Sequence, residues 1–259
     1  MHTIKLLKAE GPADWQLELA NAITSVDELL YELELEQFEN RLVRNSAFRL
    51  RVPRAYVKKM QKGNADDPLL MQVLPVTAEN TLSGFTDPVG DLNAMATPGL
   101  LHKYQGRALL LTTGACAIHC RYCFRLLFTY SASNPRKNEW KQALDYLRTH
   151  DDIHEVILSG GDPLVLDNAK LAQLFTALEH IPHIQWLRIH TRLPVVLPSR
   201  IDDDPITLLQ KLRFKISLVI HANHANELMI DELKALQRLN SSGITLLNQS
   251  VLLKGVNDC

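Results

Sequence analysis

From residue 107 onward the chain alternates short aliphatic runs with stretches of helical texture, and this alternation limits the fold more than any other feature. The runs are RALLLTT (107–113), EVILSGG (155–161), QWLRIHT (185–191), KISLVIH (215–221) and TLLNQSVLL (245–253), and helix-like segments separate them at 136–149, 168–180, 204–212 and 229–241. Strands rich in Val, Ile and Leu, each followed by a helix, predict a parallel sheet covered by helices, an α/β fold. Five such steps fit an open doubly wound sheet or part of a (β/α) barrel, and periodicity does not choose between them. Either way the ligand site lies at the C-terminal ends of the strands. That rule gathers the polar segments on one rim: a cysteine-bearing loop after the first run, SGGDP after the second, HTR ending the third and HANH ending the fourth.

The first hundred residues read differently. Residues 14–38 form two helices, the second opened by Ser25 with Glu28 three positions on, the form of a capping box. The acidic stretch backed by Leu30, Leu33 and Phe38 reads as a solvated helical face. Pro53 starts a further helix within FRLRVPRAYVKKM (48–60), where Arg49, Arg51 and Arg54 read as surface charge. Between 63 and 99, Pro68, Pro75, Pro88 and Pro98 with Gly63, Gly84, Gly90 and Gly99 predict an irregular connector. Two regions are therefore expected: 1–98, mainly helical with that connector, and 99–259, the α/β part. Lys plus Arg number 28 against 29 Asp plus Glu, so no basic field is present to attract nucleic acid. No run approaches the roughly 20 apolar residues of a membrane span, and no signal-peptide pattern opens the chain, so a cytoplasmic protein with reduced thiols is expected.

The loop GACAIHCRYCFRLLFTY (114–130) carries Cys116, Cys120 and Cys123, three of the four cysteines in the chain. An odd number of neighbouring thiols does not close into disulfides among itself, and the fourth, Cys259, is the last residue and reads as a bystander. Clustered thiolates hold zinc or an iron–sulfur cluster. A closed zinc site wants four ligands, commonly as two separated pairs. Three thiolates on a 4Fe-4S cubane instead leave one iron open to chemistry, and the single triplet favours the cubane.

The spacing C-x3-C-x2-C with Tyr122 before the last cysteine resembles the signature of radical SAM enzymes, and LLHKYQGRALLLTT, LSGGDPL, RLPVVLPSRI, NHANE and LLNQSVLLKGVND resemble their lysine 2,3-aminomutase branch. The segment from FRLRVP to MQVLP is most similar to the bacterial EpmB subgroup, associated with modification of elongation factor P. The resemblance implies a partial (β/α) barrel of the radical SAM type behind a mainly helical N-terminal region. It also implies an isomerase that converts L-α-lysine to β-lysine with a 4Fe-4S cluster, S-adenosylmethionine (SAM) and pyridoxal phosphate. By residue, it implies that Cys116, Cys120 and Cys123 ligate the cluster. Gly160, Gly161, Asp162, His221 and Gln249 contact SAM, Arg125 holds the substrate carboxylate, and Lys103 and Arg107 lie near the pyridoxal phosphate. Glycines at the strand end are expected to let SAM approach the backbone, and Asp162 to accept from its amino or hydroxyl groups. The partners implied are a lysine substrate, an electron donor, and a functional link to elongation factor P and its ligase; a homo-oligomer is compatible with it.

Two departures from the family pattern stand out. After CFR the family continues with a basic residue and HFPY, whereas this chain has Leu126, Leu127, Phe128, Thr129 and Tyr130. The sequence also stops at Cys259, before the units that carry the family's cofactor-binding lysine, so an incomplete aminomutase with weak or absent turnover is expected. The alternatives are a radical SAM reaction independent of pyridoxal phosphate and a non-enzymatic metal-binding module.

Overall fold

A computed structural model of the chain describes residues 13–37, 49–76, 85–128, 130 and 140–258. Phe38, Phe48, Gly84, Thr129, the first residues of the helix expected from 136, and Cys259 lie outside them. The N-terminal part has α1 (Asp14–Ala20), α2 (Val26–Glu32) and the short α3 (Arg54–Val57). Ser25 caps α2 by accepting from the Glu28 backbone N–H, while the Glu28 carboxylate pairs with Arg54. Pro53 precedes α3 as its cap instead of opening it. Arg54, 44% exposed in its side chain, is a surface cation as expected, but Arg51 turns inward and donates to the Leu19 carbonyl at 2.9 Å.

The sheet has β1 (Met95–Thr97), β2 (Leu100–Tyr104), β3 (Arg107–Thr113), β4 (Glu155–Gly160), β5 (Trp186–Thr191), β6 (Lys215–Ile220) and β7 (Thr245–Asn248). Helices α4 (Lys141–Thr149), α5 (Asn168–Glu179), the short α6 (Leu193–Val196), α7 (Asp203–Gln210) and α8 (Ile230–Ser241) lie between the strands from β3 onward. The spatial order is β1-β2-β3-β4-β5-β6-β7, with β3 to β7 all parallel. A doubly wound sheet reverses strand order at its switch point. Here every step goes the same way, which is barrel-type winding left open between β1 and β7.

Two elements depart from the sequence reading. The connector expected to be irregular through residue 99 contains β1, antiparallel to β2 across a turn at Gly99, whose φ is +80°. Three residues ahead of Pro98 are too few to show a periodicity. The last strand stops at Asn248 because side chains draw the chain off the sheet: Asn248 Nδ2 and Ser250 Oγ both donate to the Ala222 carbonyl, at 3.0 and 3.1 Å.

Alternation along the strands divides the side chains between two faces. Ala108, Leu110, Val156, Leu158, Leu187, Ile189, Leu218 and Ile220 join the helices in one hydrophobic core, which also takes in Trp15, Ile23, Leu30 and Tyr56 from the N-terminal part. The opposite, inner face carries Arg107, Glu155, Ser159, Arg188 and His190. Among the described residues, no helix is long and apolar enough to cross a membrane.

Candidate active site at the C-terminal rim of the strands

The loop after β3 is stitched down from both sides. Gly161 N–H donates to the Thr113 carbonyl at 2.7 Å and Asp162 N–H to Ala115 at 2.8 Å, while His119 N–H and Arg121 N–H reach the Arg51 and Gln72 carbonyls at 3.0 and 2.9 Å. This closeness demands glycine at the end of β4. A Cβ on Gly161 would lie 2.1 Å from the Ala115 oxygen, and one on Gly160, whose φ is +117°, 2.5 Å from the Thr113 oxygen. The backbone these two glycines admit is that of the cysteine loop.

Asp162 is engaged by donors of the protein itself. Its buried carboxylate accepts from Thr191 Oγ1 (2.7 Å), Arg192 N–H (2.7 Å) and Leu164 N–H (3.0 Å), so it meets protein donors and ties β4 to β5. Burial pushes its pKa up in spite of those donors.

On the loop itself Cys116 and Cys120 are half-buried and Cys123 is exposed, all as free thiols. Burial, then the nearby Asp162, pushes the Cys116 thiol well up, so a metal bound there displaces a proton. Arg192, at the end of β5, donates through Nη1 to Cys120 Sγ at 2.7 Å. Its Nη2 reaches Gln72 Oε1 (2.7 Å), Glu227 Oε2 (2.9 Å) and Tyr56 Oη (3.1 Å). Among the described residues, no three His, Cys, Asp or Glu side chains converge on a position for a single metal ion. The fit to a cluster rests on the donor chemistry: three thiols of one loop, with a cation already donating to a sulfur.

The remaining candidates lie on or near the inner face. Arg125 is buried, with Nε on Asp91 Oδ2 at 2.8 Å and Nη1 on Ser159 Oγ at 3.2 Å. The His190 and His221 rings meet edge to face at 5.8 Å, and each keeps a buried Nε2 with no hydrogen-bond partner among the described residues, a pair of polar atoms that fits a polar ligand. The Gln249 side chain approaches the His190 ring. Burial lowers both imidazoles to about 4, assisted at His190 by His221 and at His221 by Arg192. Arg107 opens β3, whose length of about 20 Å separates it from the end that leads into the cysteine loop, and Lys103 lies on the adjoining β2. There Glu155 joins Arg107, at 3.8 Å, to Arg188, at 2.6 Å, while Lys103 donates to the Val89 carbonyl.

Sequence reasoning brought the cysteines, the SGGD turn, HTR (190–192) and His221 to one rim, but it gave no role to His190, Arg192 or Glu227 and did not bring in Gln72, Tyr56 or Asp91. The one available signal was a charged residue directly after an aliphatic strand, in HTR; Tyr56 and Gln72 come from segments too remote in sequence to be linked to it.

Residues 110–259 match the model of the radical SAM superfamily. The L-lysine 2,3-aminomutase of Haemophilus influenzae is 49% identical over 251 residues, which are 95% of this chain and 74% of that protein. The L-lysine 2,3-aminomutase of Escherichia coli is 46% identical over 263 residues, covering 100% of this chain and 77% of that protein. A more distant L-lysine 2,3-aminomutase, from Clostridium subterminale, is 34% identical over 251 residues, 95% of this chain and 60% of that protein.

Proposed function

Because the chain belongs to the lysine 2,3-aminomutase family of the radical SAM superfamily, a family of isomerases, we propose that it takes part in the conversion of L-α-lysine to β-lysine. The observation that carries this reading is the loop bearing Cys116, Cys120 and Cys123, held at the C-terminal rim with a buried guanidinium on one sulfur. When bound, the cluster with SAM supplies a 5'-deoxyadenosyl radical, and pyridoxal phosphate stabilises the migrating nitrogen.

The chain's own residues do the positioning and exclude water. Cys116, Cys120 and Cys123 hold the cluster. His221, with Gln249 and the added His190, faces SAM with neutral imidazoles; Gly160, Gly161 and Asp162 set the shape of that wall. Arg125 forks onto the substrate carboxylate, with Asp91 and Ser159 fixing its plane. Arg107 and Lys103, with Arg188 beside them, supply positive charge for a phosphate at the base of the inner face. Similarity in the N-terminal segment supports elongation factor P as the destination of the β-lysine, through a separate ligase, and a cytoplasmic setting follows from that role.

The test is anaerobic reconstitution with iron and sulfide, then reduction with SAM, lysine and pyridoxal phosphate. We expect 5'-deoxyadenosine and β-lysine together. Deoxyadenosine that depends on neither lysine nor pyridoxal phosphate would replace this reading with another radical SAM reaction. Absence of SAM cleavage would reduce the chain to a metal-binding module.

A further inference from the structure

Below the cysteine loop lies a buried ion pair that the proposed chemistry leaves unused. Arg192 is 6% exposed and Glu227 0%. The guanidinium spans from Cys120 Sγ (2.7 Å) to Glu227 Oε2 (2.9 Å), with its plane fixed by Gln72 and Tyr56. Glu227 is clamped in turn: its Oε1 accepts from Asn223 N–H (2.9 Å), Gln72 Nε2 (3.0 Å) and His224 N–H (3.1 Å). The Tyr122 ring, next to Cys123, lies 5.6 Å from the guanidinium.

Buried ion pairs contribute little net stability compared with well-packed apolar residues, so stability does not account for one here. Its place does. N–H donors to ligand sulfurs, together with fixed charge near them, are principal levers on the reduction potential of an iron–sulfur cluster. We infer that Arg192 and Glu227 form a balanced pair that sets this potential. Arg192 raises it through its N–H on Cys120 Sγ and its positive charge, and Glu227 fixes the guanidinium while offsetting part of that charge. The inference rests on Cys116, Cys120 and Cys123 being cluster ligands. Arg192 acts through Cys120 and is a positioning residue.

Removing Arg192 alone would leave Glu227 charged and unpaired, so the informative variants are Glu227→Gln and the double variant Arg192→Met with Glu227→Gln. They differ only in the guanidinium. Each full chain is reconstituted anaerobically, its fold checked by circular dichroism and its iron and sulfide counted. The midpoint potential is then read by redox titration followed by electron paramagnetic resonance, without SAM. The expected result is full iron in all three proteins, a potential above wild type in Glu227→Gln, and one below wild type in the double variant. Unchanged potentials, or shifts of the same sign in both variants, would overturn the inference, as would loss of iron from a folded double variant. If the wild-type chain takes up no iron, the cluster reading fails first and the inference falls with it, an outcome visible before any variant is compared.

Discussion

At the scale of single residues the inner face is set by groups whose charge state burial decides. His190 and His221 have folded-state pKa values of about 4 against 6.5, with burial the main cause at both. Their stabilising contribution is therefore complete above pH 6.5 and lost as pH falls from there toward 4, where the unfolded chain binds protons that the folded one refuses. The loss amounts to about 3 kcal/mol for either ring taken alone. Urea unfolding at pH 7 and pH 4.5 should show it, and His221→Asn should flatten the difference. Arg125 makes a second case. Because Asp91 and Ser159 already fix its guanidinium, Arg125→Lys keeps the charge and loses the fork. On the proposed reading, lysine-dependent SAM cleavage should need about tenfold more lysine or beyond, following the 1.5–3 kcal/mol of a charge-assisted hydrogen bond; an unchanged lysine requirement would remove Arg125 from the substrate site.

Elements carry a different kind of constraint. Gly161 lets the end of β4 lie against the cysteine loop, with the Ala115 oxygen where a Cβ would be. Gly161→Ala should therefore displace the loop and lower iron uptake while the sheet stays folded, read by iron content beside far-ultraviolet circular dichroism. Leu158→Ala acts on the other face of the same strand: it opens a cavity in the core and should cost about 2–5 kcal/mol, measured by denaturant unfolding. β4 also shows what a sequence discloses. Val156, Ile157 and Leu158 form one aliphatic run, so the strand is legible from residues alone, while the assignment of Val156 and Leu158 to the core and Ile157 to the inner face comes from the fold. β1 is not legible, since three residues before a Pro-Gly turn are held by pairing with β2. The same division runs through the site. Three cysteines within eight positions announce themselves, whereas the partners of Arg192 are assembled by tertiary folding from residues 56, 72, 120 and 227. The closeness of the Thr113 and Ala115 backbone to Gly160 and Gly161 was not foreseen, because one-dimensional text does not say whose backbone comes close.

Across the whole molecule, the N-terminal part and the rim are one structure. Lys59, just past α3, places its ammonium on the Val195 carbonyl (2.7 Å), the Glu232 carboxylate (2.9 Å) and the Glu227 carbonyl (3.0 Å), with side-chain exposure of only 4%. Arg200 is fully buried with its guanidinium 4.5 Å from the Trp15 ring. Lys59→Met should leave Glu232 buried without its cation and destabilise the chain by about 3 kcal/mol or more, read as a lower midpoint in denaturant. The consequence of the Lys59 clamp is one of cooperativity. Opening the contact between α3 and α6 frees Glu227, and with it the scaffold that carries Arg192 to the cysteine loop. Native-state hydrogen exchange should then report the amides of Val57, Val195 and Cys123 as a single opening unit, so the cysteine loop has no local melting transition of its own.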